Sequence, residues 1–277
     1  MANNDTRPIG IFDSGVGGLS VLREIRALLP EESLIYCADS GHAPYGDKSQ
    51  QVIRERSLEL AEFLVSHEVK AIVIACNTAT AAASRALRER WPSLPVIGME
   101  PAVKPATAAT RSGTVGVLAT VGTLSSAQFA ALLDTFGQDV RVVTQPGVGL
   151  VEAVERGELD SDSTRHMLSA HLQPLLAAGA DVIVLGCTHY VFLRPLVETI
   201  VGPGVKVIDT GAAVARQLER RLVEGGHRVA AGAVARPVRF WCSGNPGTVA
   251  HAIDVLWGEH IWPDALPRSQ TIKPHTH

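Results

Sequence analysis

The sequence predicts an α/β protein of two pseudo-symmetric α/β domains with mainly parallel sheets and a functional cleft between them. Short β-branched runs alternate with longer stretches of helical spacing, the order expected of parallel strands joined by crossover helices. The chain also repeats itself. Cys76 and Cys187 stand 111 positions apart (187 − 76), and the strand that follows each, Val96 with Ile97 and Val207 with Ile208, keeps that offset. Each half opens alike, "IGIFDSGVGGLS" at 9–20 against "VGVLATVGTLSS" at 115–126, with an offset about five residues shorter that one loop difference absorbs.

The elements follow in order. Strands are expected at 8–12, 34–37, 71–75, 95–98, 115–119, 140–144, 182–186, 205–208 and 238–242. Residues 49–67 carry apolar side chains at Val52, Ile53, Leu60, Phe63 and Leu64, which is helical spacing, with Ser49 as its N-cap. The last strand and helix, after residue 211, make a fourth element that should pack back on the first half. One domain is therefore expected from 1–99 plus 212–277, and another from 100–211. The tail from residue 263, rich in Pro and polar residues, should be loosely held.

Composition narrows the function. The 277 residues are 46% hydrophobic and 19% charged, with net charge −3, so nothing suggests an electrostatic footprint for nucleic acid or a membrane surface. No apolar run approaches a membrane span, and the first ten residues hold no secretory apolar core. Cys37, Cys76, Cys187 and Cys242 lie far apart without a CxxC pair, which argues for free thiols in a reducing, cytoplasmic setting and against a structural metal.

In parallel sheets ligands collect at the carboxyl ends of strands, so the chemistry is sought there. Most free cysteines are small buried hydrophobes, and that suits Cys37 and Cys242. Cys76 and Cys187 differ. Each sits where a strand hands over to a helix, whose backbone N–H groups can lower a thiol pKa, and each is followed by side chains able to bind a ligand: Asn77 and Thr78, or Thr188 and His189. Two thiols, one per half, would face each other across the cleft. Taking a proton from one face of a carbon and returning it to the other requires one base and one acid in near-mirror positions. The duplicated fold supplies that symmetry.

The loops add candidates. "FDSGVGGLS" at 12–20 lacks the third glycine of a dinucleotide fingerprint, since Ser20 stands there, and reads instead as a tight turn into a helix N-terminus that binds a carboxylate. Asp13 and Ser14 sit at that strand tip, and Asp13 could equally cap the helix. Tyr45 and Gly46 lie in the loop 38–49, which is either a plain turn or a ligand loop. Thr120 and Thr123 take the corresponding place in the second half. Glu152 is a helix-borne carboxylate that either assists the site or merely starts its helix.

Taken together, "GIFDSGVGGLSVL", "APYGDKS", "IVIACNTAT", "VIGMEPA", "GVLATVGT", "GLVE" and "VLGCTHY" resemble the glutamate racemases over almost the whole chain. The resemblance implies cofactor-independent interconversion of L- and D-glutamate, supplying D-glutamate for peptidoglycan, by a two-base mechanism. Cys76 would take the α-proton of D-glutamate and Cys187 that of L-glutamate. Asp13 and His189 would assist the thiols, with Glu152 a further candidate. The substrate would be held by Asp13, Ser14, Tyr45, Gly46, Asn77, Thr78, Thr120, Thr188 and His189.

Two positions depart from the family pattern: Gly41 and His42 replace the usual Ala-Arg pair, and Val191 replaces Pro. Dimers are common among such relatives, so a homodimer is compatible with the resemblance. The short segment before the first strand implies no dependence on a peptidoglycan-precursor activator. The alternatives are an aspartate or hydantoin racemase, a single-cysteine decarboxylase of the same superfamily, or a two-domain amino-acid binding protein without catalysis. The paired thiols argue against the last two, and Thr188 followed by His189 favours glutamate over aspartate.

Overall fold

A computed structural model describes residues 5–230, 232–234 and 236–267. In chain order the strands are β1 (Ile9–Asp13), β2 (Leu34–Ala38), β3 (Ala71–Ile74), β4 (Val96–Ile97), β5 (Thr114–Ala119), β6 (Arg141–Pro146), β7 (Val182–Leu185), β8 (Lys206–Ile208), β9 (Arg239–Cys242) and β10 (Asp264–Ala265). They form two sheets, with orders β10-β9-β2-β1-β3-β4 and β6-β5-β7-β8, and all their pairings are parallel. The four-strand order β2-β1-β3-β4 recurs as β6-β5-β7-β8. That recurrence is the duplication foreshadowed by the offset of 111 between the two cysteines.

Strand alternation decides which apolar side chains meet. Ile9, Ile11, Ala71 and Val73 point into one core, while Phe12, Ile72 and Ile74 point into another on the far face of the same sheet. The second sheet divides likewise: Leu118, Ile183 and Leu185 on one side, Val115, Val117, Val182 and Val184 on the other. The first of these cores takes side chains from both sheets, so one continuous apolar mass joins the two halves beneath the cleft. Burying each such aliphatic side chain contributes roughly 1.5–3 kcal/mol.

Helix boundaries follow their caps. The helix Gln50–Ser66 begins after Ser49, whose hydroxyl accepts from the Val52 N–H at 3.3 Å, as its sequence predicts. The tail departs from expectation. Asp264–Ala265 adds a strand beside β9, and the Leu266 N–H donates to the Cys242 carbonyl at 2.7 Å. Backbone pairing orders a Pro-containing segment there without needing an apolar pattern. The remainder of the tail, from 268, lies outside the described residues. Among the described residues no helix is long and apolar enough to cross a membrane.

Candidate active site

The carboxyl ends of β1, β3, β5 and β7 converge on one small cavity of about 10 Å³. Its lining includes Ser14, Tyr45, Gly46, Cys76, Asn77, Thr78, Thr120, Cys187, Thr188 and His189, joined by Pro44, Val151 and Gly186. Residues named from five separate stretches of sequence are thus brought to one place. All four cysteines are unpaired, and only Cys76 and Cys187 reach this cavity.

Cys76 is the N-cap of the helix Asn77–Arg90, and its Sγ accepts from the Ala79 N–H at 3.4 Å. The strand β3 is fully buried, so the thiol that ends it is carried to the sheet edge without freedom to wander. Ser14 Oγ lies 3.8 Å from Cys76 Sγ. The helix N-terminus was expected to lower this thiol's pKa, but the balance runs the other way. Burial, then the nearby Asp13 carboxylate, pushes the Cys76 thiol well above its ordinary value despite the Ala79 hydrogen bond.

Asp13 lies wholly buried just behind the cavity wall, with Oδ1 accepting from the Ser14 N–H at 2.7 Å and Oδ2 from the Gly18 N–H at 2.6 Å. The glycine turn therefore does bind a carboxylate at a helix N-terminus, and that carboxylate is the chain's own. Burial raises the Asp13 pKa, with the His189 charge and the Gly18 hydrogen bond opposing. Thr188 Oγ1 reaches Asp13 Oδ2 at 3.5 Å, which ties the two halves together at this point.

From the second sheet, Cys187 follows β7 and leads into a 3-10 turn, His189–Leu193. Cys187 Sγ lies 3.7 Å from His189 Nδ1. The far nitrogen of that ring, Nε2, lies 2.7 Å from Glu155 Oε1. Burial alone would lower the His189 pKa, but hydrogen bonds to Cys187 and Glu155 and their charges lift it well above its ordinary value. The buried imidazole is thus held between a thiol group and a carboxylate, with the Gly17 N–H also 3.2 Å from Nε2.

Glu155 is the residue that sequence reasoning missed. Glu152, chosen instead, lies on the same helix, Leu150–Glu155, and lines a neighbouring cavity together with Glu155 rather than the one holding the thiols. Both carboxylates belong to one short amphipathic turn, and the three-residue step between them leaves sequence pattern unable to rank them.

The two halves also clasp each other over the cavity. Thr78 Oγ1 is 2.8 Å from Thr120 Oγ1 and 3.0 Å from Thr123 Oγ1, and the Gly122 N–H donates to the Gly46 carbonyl at 3.0 Å. Asn77 is the exception to this mutual satisfaction: both polar atoms of its buried side chain lack a hydrogen-bond partner, although the residue lines the cavity. Both its donor and its acceptor are therefore available to a polar group in the cavity. Among the described residues no group of three or more His, Cys, Asp or Glu side chains is arranged to hold a metal ion.

Two thiols thus line one cavity, one near Asp13 and Ser14 and one beside His189. Known proteins carry the same frame. Residues 9–218 match the model of the Asp/Glu/Hydantoin racemase family. The chain is 59% identical over 257 residues to the glutamate racemase of Ectopseudomonas mendocina (strain ymp), covering 93% of this chain and 97% of that one. Among solved structures it is similar to a glutamate racemase isoform of Bacillus anthracis, with TM-score 0.86, 33% identity and coverage of 95% and 98%. It is also similar to the Escherichia coli glutamate racemase in complex with L-glutamate and an activator, UDP-MurNAc-Ala, with TM-score 0.82, 33% identity and coverage of 94% and 97%. The chain belongs to the Asp/Glu/Hydantoin racemase family, among the glutamate racemases, and is an amino-acid racemase.

Proposed function

We propose that this racemase interconverts L- and D-glutamate without a cofactor by a two-cysteine mechanism, and that the D-glutamate serves peptidoglycan synthesis in the cytoplasm. The observation that carries the reading is the placement of Cys76 and Cys187 on one cavity, each with its own polar partner. One thiol group removes the α-proton as thiolate while the other, as thiol, delivers a proton to the opposite face. Their environments already differ. Burial and the nearby Asp13 carboxylate push the Cys76 thiol well above its ordinary value, whereas the His189 ring lies beside Cys187. From L-glutamate Cys187 is the base and Cys76 the acid; the D-enantiomer requires the reverse assignment.

Asn77, Thr78, Thr188 and the Tyr45 and Gly46 loop surround the cavity as substrate-holding groups, and Ser14 and Thr120 complete its wall. Asp13 assists Cys76, and His189 assists Cys187. Glu155 rather than Glu152 supports His189, because only Glu155 touches it. Admission of substrate requires the clasp between Thr78, Thr120 and Gly122 to part. The division into 1–99 plus 212–277 and 100–211 is supported by the strands each sheet draws on, 9–97 with 239–265 and 114–208.

The test is proton NMR of L-glutamate in D₂O with purified protein and no added cofactor. Loss of the α-proton signal together with D-glutamate on a chiral column is expected. No exchange with glutamate, and exchange with aspartate in its place, would overturn the substrate assignment.

A further inference from the structure

Tyr45 and Gly46 line the cavity, and gripping a substrate there requires their loop to be held in position. The structure assigns that task to a part-buried ion pair behind the loop, Asp39 with Arg56, and we propose that these two are positioning residues for the substrate loop. The proposal rests on reading the cavity as the glutamate site. Tyr45 is 1% exposed, and its hydroxyl donates to Asp39 Oδ2 at 2.6 Å. Asp39 itself is fully buried, and Arg56 grips both of its oxygens, Nε on Oδ2 at 3.0 Å and Nη2 on Oδ1 at 2.8 Å. His42 Nδ1 adds a contact to Oδ1 at 3.0 Å.

The backbone continues the chain of contacts in both directions. The Asp39 N–H donates to the Asp13 carbonyl at 3.0 Å, so the pair is anchored at the tip of β1. Beyond Tyr45, the Gly46 carbonyl takes the Gly122 N–H from the other half at 3.0 Å. Asp39 touches neither thiol, so it acts through Tyr45 and Gly46 and not on the reacting atoms. Burial would lift its pKa, but Arg56 and the hydroxyls of Ser243 and Tyr45 hold the carboxyl below the usual range, which keeps it a full-time acceptor. No local sequence signal marks the pair, since Arg56 sits 17 residues away on the helix Gln50–Ser66.

Kinetics in both directions on Asp39→Asn, Tyr45→Phe and the double variant test this. Asp39→Asn should raise KM for glutamate about tenfold with kcat changed less than about twofold, as expected when a charge-assisted hydrogen bond holding a binding loop is lost. The double variant should be no worse than Asp39→Asn alone, because both changes cut the same contact. A second readout does not depend on the substrate: a loosened loop should let iodoacetamide reach Cys76 several-fold faster, followed by peptide mass spectrometry. A fall in kcat at constant KM, additive effects, or unchanged Cys76 alkylation in Asp39→Asn would overturn the proposal. Should Asp39→Asn fail to fold, Tyr45→Phe and Arg56→Gln carry the same two comparisons. Wild-type protein that alkylates as described but leaves glutamate untouched would sink the substrate reading alone.

Discussion

His189 Nε2 lies 2.7 Å from Glu155 Oε1, while Nδ1 of the same ring lies 3.7 Å from Cys187 Sγ. The ring therefore bridges a half-buried carboxylate and the thiol. Replacing Glu155 with Gln keeps the shape and removes the charge. His189 should then lose its proton at lower pH, since Glu155 is one of the groups that lift it. On the proposed mechanism, in which protonated His189 supports Cys187, activity should fall as pH rises through the raised His189 pKa, and in Glu155→Gln that alkaline limb should begin at lower pH. kcat/KM should fall roughly ten- to a hundredfold, and by the same factor in both directions, because the equilibrium constant between two enantiomers is one. A pH profile of kcat/KM in each direction checks this; Glu152→Gln, measured alongside, should stay close to wild type.

The two thiols should fail differently. Cys76→Ser and Cys187→Ser each remove one of the two proton-transfer groups, and racemisation should drop at least ~10²-fold in either. Each variant keeps one base, so each should still exchange the α-proton of a single enantiomer in D₂O, a different one for each. Equal activity of both variants and wild type would sink the two-base assignment. Cys37→Ser and Cys242→Ser reach no part of the cavity and should alter stability alone, read as a shift in Tm.

Much of this arrangement was legible beforehand, for physical reasons that can be named. The strands announce themselves because parallel sheets covered on both faces need uninterrupted aliphatic runs, as at 71–74 and 182–185. Cys76 and Cys187 could be found because duplication put both at the same strand end. Glu155, Asp39 and Arg56 could not. Each becomes functional through the register in which a helix or loop docks on a distant element, and docking register leaves no local period. The Cys76 pKa failed for a related reason: the helix N-terminus is visible in sequence, while the depth of burial that outweighs it is not. The strand β10 was missed because two residues pairing through their backbones need no side-chain pattern.

Asp181 offers a pH test of stability well away from the cavity. Burial would raise its pKa, but hydrogen bonds from Thr110 and the backbone N–H groups of Arg111 and Ser112, the latter two at 2.8 and 3.0 Å, hold it at about 2. A carboxyl whose folded pKa lies below its unfolded value of 3.8 stabilises the fold above that value and ceases to do so as pH falls through about 2. Asp181→Asn should therefore lower Tm at pH 7, and the gap from wild type should close between pH 4 and 2. A gap that stays constant over that range would show that the loop 110–112 does not depend on the charge.

The glycine turn after β1 gives the sharpest geometric test, because two of its glycines are pressed against the His189 and Glu155 pair. A Cβ at Gly17 would stand 2.2 Å from His189 Nδ1, and one at Gly15 would stand 1.8 Å from Glu155 Oε1. The two clashes resolve unequally. His189 is walled in, its side chain 2% exposed, whereas Glu155 is 20% exposed and can swing its carboxylate outward. Gly15→Ala should thus reproduce Glu155→Gln, with a moderate loss and an alkaline limb moved to lower pH. Gly17→Ala must displace the ring from Cys187 itself, and should cost roughly a hundredfold or more in the rate from L-glutamate. Steady-state rates and pH profiles of both variants, with Tm measured to exclude unfolding, decide the matter. A Gly17→Ala variant as active as Gly15→Ala would mean that His189 does not need its present position.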